Sequence, residues 1–401
     1  MVSLRLFDTE LPVILRRHFG SCNRQRFVAC TNEQHPKMIP LALRPVRIAS
    51  NHPPSYQSWV NAMSDAAPTV TPERILQLAW AFAPPLVIET AVRQRVFDVL
   101  AAQPQTLDAL AAATGASSRG LAAIVNVLIG LGLLARDDAG TVSLTAESAA
   151  FLVSGQPGFV GGLFRHASDQ LLPNWLQLTG IVGGEKPARS LAAAETNAAF
   201  FAEFVEDIFP LSYPSARVLA GALGLAQASA PVSVLDLGAG SGVWGIALAQ
   251  ASPHVTVRAV DWPDVLPVTR RIFARYGLAD RLTTVAGDLA DADFGSVHQV
   301  ATIGQILHSE GVERSRALLR RTHAALAPGG TVAIAEFLVN ADRRGPMNGL
   351  IFAVNMLVNT EAGGTYSFEE IAGWLTEAGF TNPRLLPAPG PSPLILATAA
   401  G

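Results

Sequence analysis

The residues SVLDLGAGSGVWGIALAQ, 233–250, carry the strongest indication of the fold class of this chain. They begin with an apolar run that ends in Asp236, continue with three glycines at every second position, and close with a second apolar run of helical character. This order predicts a strand, a tight turn and a helix. Turns of this kind approach dinucleotides, phosphates or other ligands closely, so the spacing of the glycines has to be tested against each of them.

The glycine spacing excludes two of these ligands. Gly238, Gly240 and Gly242 follow the pattern G-x-G-x-G, whereas the dinucleotide fingerprint is G-x-G-x-x-G. No Lys followed by Ser or Thr comes after the glycines, which excludes a phosphate-cradling P-loop. A glycine turn can also serve tight packing alone, so the neighbouring residues are needed to indicate whether the turn binds a ligand and which one.

Three aspartates at predicted strand ends indicate the ligand. Asp236 stands before the turn, where it could orient the loop or receive an ammonium group, directly or through water. Asp261 ends the next strand, where a carboxylate can accept hydrogen bonds from ribose hydroxyls, and Asp288 ends the third, within reach of an adenine amino group. An ammonium, a ribose and an adenine without a pyrophosphate describe S-adenosylmethionine.

The chain from Pro231 to its end alternates predicted strands with helices. This alternation specifies a doubly wound α/β fold with a parallel sheet. The last stretch instead predicts two strands joined by a Pro-Gly turn, so an antiparallel hairpin closes a seven-stranded sheet. The predicted strands lie in VSVLDLG, VTVRAV, RLTTVAGD, HQVATIGQIL, TVAIAEFLV and NPRLLPAPGPSPLILATAA.

The segment from Thr71 to Thr145 predicts a winged helix-turn-helix. A Thr71 cap with Pro72 at the first helical position opens a long apolar helix. Two further helices separated by Gly115, the second capped by a serine, precede a hairpin ending in TVSLT. Such a module can read DNA with its second helix, but here Arg119 is the only cation of that helix, so an interface or core role is favoured.

Composition bounds the remaining possibilities. The 401 residues carry a net charge of −3, which argues against a nucleic-acid partner. No window offers the uninterrupted apolar run of a membrane span, and the most apolar stretch, Ile75 to Val92, is predicted to be a buried helix. The only cysteines, Cys22 and Cys30, allow no disulfide framework and no thiolate metal site elsewhere, so no metal and a cytoplasmic location are expected.

These patterns divide the chain into four parts. Residues 1–65 are expected to be a disordered leader or the product of a misassigned start, because Met63 would make an ordinary initiation site. Residues 66–155 form the winged-helix domain, 156–228 a helical linker, and 229–401 the cofactor-binding domain.

From about Thr71 onward the sequence resembles the class I methyltransferases that act on small molecules, in particular the plant-type and hydroxyindole-type O-methyltransferases. The resemblance implies a Rossmann-like methyltransferase sheet and a homodimer formed by the winged-helix domain. It also implies S-adenosylmethionine contacts from Gly238, Gly240, Asp261, Asp288 and Leu289. The motifs that carry it are VLDLGAGSG, AVDWPDV, VAGDL, ILHSEGVERSRALLRRTHAALAPGG and VAIAEFLV.

The same resemblance implies a catalytic pair. His308 matches the family's general base, which would take a proton from the acceptor hydroxyl, and Glu336 matches the carboxylate that orients it. Taken alone, His308 could also be a satisfied histidine at a strand end, and Glu336 a solvated acid. The family's basic residue four positions before the histidine is replaced by Gly304, followed by Gln305 as the candidate cofactor contact.

Two departures keep other mechanisms open. The family's Asp-Trp after the histidine is replaced by Ser309 and Glu310, and its second acid by Tyr366. An enzyme altered in this way could methylate carbon or nitrogen by alignment alone. A winged-helix regulator that senses S-adenosylmethionine is the alternative from another class.

The acceptor site implied by the resemblance is apolar and suits an aromatic small molecule with one amide hydrogen bond. Each of its residues could instead belong to the core or to an interface. They are Phe204, Ile208, Phe352, Asn355 and Met356.

Overall fold

The computed structural model describes residues 70–187 and 204–401. Contacts divide the chain into Met1–Val70 and Thr71–Gly401. All described residues except Val70 belong to the second unit. The leader predicted for residues 1–65 lies outside the described residues.

The amino-terminal part of the described chain is a small helical module with a three-stranded wing. Gly115 adopts a left-handed conformation (φ 71°) at the turn, and the Ser117 side chain caps the following helix, as the sequence predicted. The strands pair antiparallel in the order β1-β3-β2. The elements are α1 (Glu73–Ala79), α2 (Ala83–Arg93), α3 (Val96–Ala102), β1 (Gln105–Thr106), α4 (Leu107–Thr114), α5 (Ser118–Gly130), β2 (Leu134–Arg136), β3 (Thr141–Leu144) and α6 (Ala146–Phe151).

Helix α5 stands at the position that the recognition helix occupies in DNA-binding winged helices. In this protein it packs one face inward. Leu121, Val125 and Leu128 recur at helical spacing and are buried in the core of the module. Val127, on the other side of the helix, is 42% exposed. Core packing therefore explains most of the apolar character of this helix.

The long first helix predicted from Thr71 differs in the structure. Turns at residues 80–82 and 94–95 divide it into α1, α2 and α3, and Pro72 occupies the N-cap without a side-chain cap. The predicted burial of Ile75 to Val92 holds for Ile88 and Ala91. It is wrong for the first half of the stretch, where Ile75, Trp80 and Phe82 are 71%, 69% and 55% exposed. No other described element covers α1.

This exposed stretch also meets the length and composition of a membrane span. Glu73–Arg93 has a mean hydropathy of 1.5, and 11% of its most apolar window is buried. Within residues 70–187 and 204–401 it is the one helical stretch that does so by itself, α1 and α2 taken together. The helices α4 and α5 would qualify only as a pair bent by 115°. An ion pair between Glu89 and Arg93 lies at its carboxyl end.

The linker is helical before residue 187 and after residue 204. Its π-helical turn, an uncommon element that often marks a functional site, directly follows His166. The elements are α7 (Gly161–His166), the π-turn (Ala167–Leu171), α8 (Leu172–Trp175), α9 (Leu178–Val182) and α10 (Phe209–Ala222).

The carboxyl-terminal domain is a seven-stranded sheet in the order β6-β5-β4-β7-β8-β10-β9. The strands from β4 to β8 are parallel, and β10 pairs antiparallel with β8 and β9, which confirms the predicted hairpin. The elements are β4 (Val232–Leu237), α11 (Val243–Ala251), β5 (Val255–Asp261), α12 (Leu266–Arg275), β6 (Leu282–Ala286), β7 (His298–Gly304), α13 (Leu307–Ala325), β8 (Leu326–Ala335), α14 (Met347–Asn359), α15 (Phe368–Glu377), β9 (Phe380–Leu386) and β10 (Leu394–Ala399).

Apolar clusters cover both faces of this sheet. Val234 belongs to one cluster and its neighbour Leu235 to the other, because successive side chains of a strand point to opposite faces. Strand order reverses at β4, with β5 on one side and β7 on the other. Ligands of open parallel sheets bind at the carboxyl ends of the strands at such a point, which locates the site.

Candidate active site

A cavity of about 310 Å³ opens at the carboxyl ends of the parallel strands. Residues from the glycine turn, the strand ends, the linker and α14 line it together, although they are far apart in sequence. Of the fourteen site residues predicted from the sequence, twelve line this cavity. They are Phe204, Ile208, Gly238, Gly240, Asp261, Asp288, Leu289, Gln305, His308, Phe352, Asn355 and Met356.

The turn after β4 requires glycine for steric reasons. Gly238 has φ 62°, and a Cβ there would lie 2.3 Å from Cδ1 of Ile306. Gly242 has φ 77°, and its Cβ would lie 2.5 Å from the Phe273 ring. A side chain at either position would displace the neighbouring Ile306 or Phe273 side chain as well as strain the backbone. The turn therefore keeps a bare backbone along the cavity wall.

Asp261 connects this turn to the end of β5. Its Oδ2 accepts a hydrogen bond from the Gly240 amide at 2.7 Å, and its Oδ1 accepts one from the Trp262 amide at 2.7 Å. Burial raises the pKa of Asp261 to about 6, although both amide hydrogen bonds oppose the rise. Each oxygen keeps a second lone pair, so the carboxylate can still accept hydrogen bonds from a ligand in the cavity.

Asp236 lies behind the cavity wall and does not line the cavity. It is fully buried, accepts a hydrogen bond from the Gly245 amide at 3.0 Å, and accepts another from Thr302 Oγ1 at 2.6 Å. Burial raises its pKa to about 7. Of the two roles predicted for it, this geometry fits orientation of the loop and leaves no direct path to a ligand's ammonium group.

Asp288 is paired in the structure with a cation that the sequence analysis missed. The Arg314 guanidinium donates to Asp288 Oδ1 at 2.8 Å and to Glu310 Oε2 at 2.5 Å, and all three residues line the cavity. Burial alone would raise the pKa of Asp288, but the Ala290 amide and Arg314 together hold it below its usual value. The Glu310-to-Arg314 spacing of four was the available signal.

A tryptophan occupies the space beside Gly304. A Cβ on Gly304 would lie 2.0 Å from Trp244 Nε1, so the buried indole leaves no room for the basic side chain that the resemblance implies there. Gln305 has φ 61°, which is rare for a residue other than glycine. Its Nε2 donates to Ser392 Oγ at 3.1 Å, which ties this strained position to the carboxyl-terminal hairpin.

His308 and Glu336 form a buried pair. His308 lies in the first turn of α13, and its Nδ1 is 2.8 Å from Glu336 Oε2, while its backbone amide donates to Glu336 Oε1 at 3.3 Å. Since an ionised carboxylate only accepts hydrogen bonds, Nδ1 must carry the proton. In the neutral imidazole, Nε2 then holds the lone pair that can accept a proton. Glu336 touches His308 but does not line the cavity.

Aromatic rings surround this histidine on the acceptor side of the cavity. The Phe352 ring meets His308 edge-on at 4.9 Å and stacks on Phe337 at 4.0 Å. On the linker side, the His166 ring lies 4.3 Å from Phe204. The sequence analysis missed Phe337 and His166, since a lone aromatic or histidine carries no signal without its neighbours.

The residues that replace the family's acids have structural roles. Ser309 Oγ donates to the Ile306 carbonyl at 2.8 Å in the first turn of α13. Tyr366 is buried against Trp374 with ring centroids 4.7 Å apart, and burial raises its pKa to about 12. A phenol with this pKa does not act as a base near neutral pH.

Comparison with known proteins matches both parts of the described chain. Residues 211–381 match the O-methyltransferase domain, and residues 76–154 match the O-methyltransferase dimerisation domain. The 8-O-methyl transferase TcmO of tetracenomycin polyketide synthesis in Streptomyces glaucescens is 31% identical over 81% of this chain and 96% of its own. A 3-hydroxy-5-methyl-1-naphthoate 3-O-methyltransferase of Streptomyces sahachiroi is 30% identical over 78% and 90%. The solved structure of PigF with SAH superposes with a TM-score of 0.72 at 25% identity, covering 82% of this chain and 99% of that one.

Proposed function

Because the chain belongs to the O-methyltransferase family and is an S-adenosylmethionine-dependent enzyme, we propose that it methylates a hydroxyl of a small aromatic metabolite, with His308 as the general base. One observation carries the proposal: His308 Nδ1 lies 2.8 Å from the buried Glu336 carboxylate, at the wall of an apolar cavity.

The residues at the strand ends fit S-adenosylmethionine. The bare turn at Gly238 and Gly240 allows close approach, Asp261 would hold the ribose, and Asp288 and Leu289 would face the adenine. When bound, S-adenosylmethionine supplies a methyl group that is already activated by its positive sulfur. What the protein must add is the position of the acceptor and the removal of its proton.

The acceptor half of the cavity suits a flat apolar molecule. Phe204, Ile208, Phe352 and Met356 line it, and the stacked pair of Phe352 and Phe337 presents aromatic surface next to His308. The names of the two Streptomyces relatives specify O-methylation in tetracenomycin polyketide synthesis and of a hydroxynaphthoate. A polycyclic phenol is therefore the acceptor class that we propose.

His308 would act on the acceptor hydroxyl through Nε2. A phenol with a pKa near 10 is a poor nucleophile at neutral pH, and an imidazole with a pKa of about 6.5 can accept its proton. Glu336 keeps the Nδ1 proton in place and stabilises the imidazolium that forms. The acceptor oxygen would give its proton to His308 Nε2 as it bonds the methyl carbon, and the electron pair of the broken S–CH3 bond would remain on the sulfur of the departing S-adenosylhomocysteine.

A second candidate is methylation of carbon or nitrogen by alignment alone. Tyr366 stands where the resemblance implies a second acid, and burial raises its pKa to about 12. Among the described residues His308 therefore has one carboxylate partner, Glu336, in place of two acids. The DNA-binding alternative is disfavoured, because α5 spends its apolar face on the core of its own module.

The amino-terminal module would join two copies of the chain. Trp80 and Phe82 lie within the matched dimerisation domain and expose large apolar side chains. Contiguous apolar surface of this kind marks an interaction site, and a second copy supplies the same surface. We propose a homodimer through the region from Thr71 to Leu144.

The test is direct assignment of the product. The purified protein is incubated with isotopically labelled S-adenosylmethionine and a panel of phenols, catechols, hydroxyindoles and polyketides, and mass spectrometry locates the methyl group. We expect the label on a phenolic oxygen. A label on carbon or nitrogen would establish the second candidate, and no transfer to any phenol would reject the proposed function.

A further inference from the structure

A chain of four side chains holds the amide of Asn355 at the cavity wall. Trp175 Nε1 donates to Asn355 Oδ1 at 2.9 Å, and Asn359 Nδ2 donates to the same oxygen at 3.0 Å. Asn359 Oδ1 in turn accepts from Asn174 Nδ2 at 2.5 Å. Asn174 and Trp175 belong to α8 in the linker, whereas Asn355 and Asn359 belong to α14, so the network also joins these two helices.

This network determines which end of the Asn355 amide faces the cavity. An indole N–H can only donate, so the atom of Asn355 that faces Trp175 must be the oxygen. With Trp175 and Asn359 both donating to it, Oδ1 has both lone pairs engaged. No hydrogen bond from Nδ2 of Asn355 is found within residues 70–187 and 204–401, although the residue is only 8% exposed and lines the cavity. The amide therefore presents a donor.

The position of this donor relative to His308 follows from helix geometry. Phe352, Asn355 and Met356 have the spacing i, i+3, i+4, which puts them on one face of α14, and all three line the cavity. Phe352 is the residue that contacts the His308 ring. At a rise of about 1.5 Å per residue, Asn355 lies roughly 4.5 Å further along the helix axis. The donor thus faces a part of the acceptor other than the oxygen next to His308.

We propose that Asn355 selects acceptors that carry an oxo group, the carbonyl of an aromatic ketone or quinone, in addition to the hydroxyl that is methylated. This inference rests on the proposed function and specifies its substrate class. The oxo oxygen would accept the hydrogen bond of Asn355 Nδ2. An acceptor with a methylene group in its place would bury the amide without a partner, and sites built around a hydrogen bond reject such analogues strongly.

The test compares two ligands that differ only at this group. The ketone is a hydroxytetralone whose hydroxyl is meta to the ring carbon that bears the carbonyl, and its partner is the hydroxytetralin in which a methylene replaces that carbonyl. Each is titrated calorimetrically into the full-length protein saturated with S-adenosylhomocysteine. We expect the ketone to bind on the order of tenfold more tightly. Asn355→Ala should remove this preference by weakening the ketone, and Asn355→Asp, which presents an oxygen in place of the donor, should weaken it further.

A second variant tests the orientation of the amide. Trp175→Phe keeps the ring but removes the donor that orients the amide, so it should reduce the preference for the ketone and leave binding of hydroxytetralin nearly unchanged. Ile351→Ala, on the same helix but outside the cavity lining and 51% exposed, is the matched control and should retain the full preference. Circular dichroism establishes that each variant is folded.

The outcomes separate this inference from the proposed function. Binding in the complex with S-adenosylhomocysteine requires no methyl transfer, so the ketone preference should persist in His308→Ala. A preference that depends on Asn355 in a protein that methylates no phenol would support the inference and reject the function. Equal binding of both ligands by the wild type, or equal weakening of both by Asn355→Ala, would overturn the inference.

Discussion

Replacing His308 by alanine should slow methyl transfer by an amount that depends on the acidity of the acceptor. In the structure the imidazole is held by Glu336 at 2.8 Å and packed edge-on against Phe352 at 4.9 Å. The variant would lose this base and leave a space beside the Phe352 and Phe337 rings. A positioned general base contributes about 10² to 10⁴ in rate, equivalent to about 2.7 to 5.4 kcal/mol of the barrier.

The assay is steady-state turnover with labelled S-adenosylmethionine across phenols of graded pKa. An acceptor that is already ionised at the assay pH needs no base, so the deficit of His308→Ala should shrink as the acceptor pKa falls through about 7. Affinity for S-adenosylhomocysteine, measured calorimetrically, should stay nearly unchanged. Glu336→Gln should show a milder loss of the same kind. Retention of most activity across acceptors of every pKa would refute the base and leave alignment as the source of the rate.

Three further predictions concern the cofactor turn, the apolar module and the residue pair behind the cavity. Asp261→Ala should weaken S-adenosylmethionine binding by on the order of tenfold or more in calorimetry. Wild-type affinity should also fall as pH drops through about 6, the raised pKa of this carboxyl, since protonation removes its charge; affinity unchanged in both tests would reject the contact. Trp80→Glu should convert a dimer to a monomer in light scattering at micromolar concentration, because it places a charge in the proposed interface; a stable, active monomer of the wild type would contradict the dimer. Gly304→Lys should lower the melting temperature because Trp244 fills the adjacent space, and adding Trp244→Ala should restore part of the loss, whereas additive effects would show that the two sites are independent.

Much of the site could be predicted because its polar residues lie at the ends of predicted strands. The glycine spacing, Asp261 and Asp288 indicated S-adenosylmethionine from residue type and position alone. Their meeting in one cavity follows from the parallel sheet, since the carboxyl ends of parallel strands lie along one edge. The position of His308 after β7 follows the same rule.

Other residues acquired their roles only through the fold. Arg314 reaches Asp288 across 26 positions, and Trp175 reaches Asn355 across 180, so neither pair leaves a local pattern to detect. Asp236 is a case in which the sequence left two roles open, orientation of the loop or contact with an ammonium group. Its buried hydrogen bonds to Gly245 and Thr302 fit the first of these roles.

Residue patterns alone were enough to predict the seven-stranded sheet, the order of the winged-helix elements and the class of cofactor. Hydrophobic period, glycine placement and strand-end acids are local properties that one chain segment displays whatever lies around it. The patterns did not show that α1 stays exposed, nor which end of the Asn355 amide faces the cavity. Burial and hydrogen-bond direction depend on which partners the fold brings within a few ångströms, and residues far apart in sequence meet only once the chain has packed.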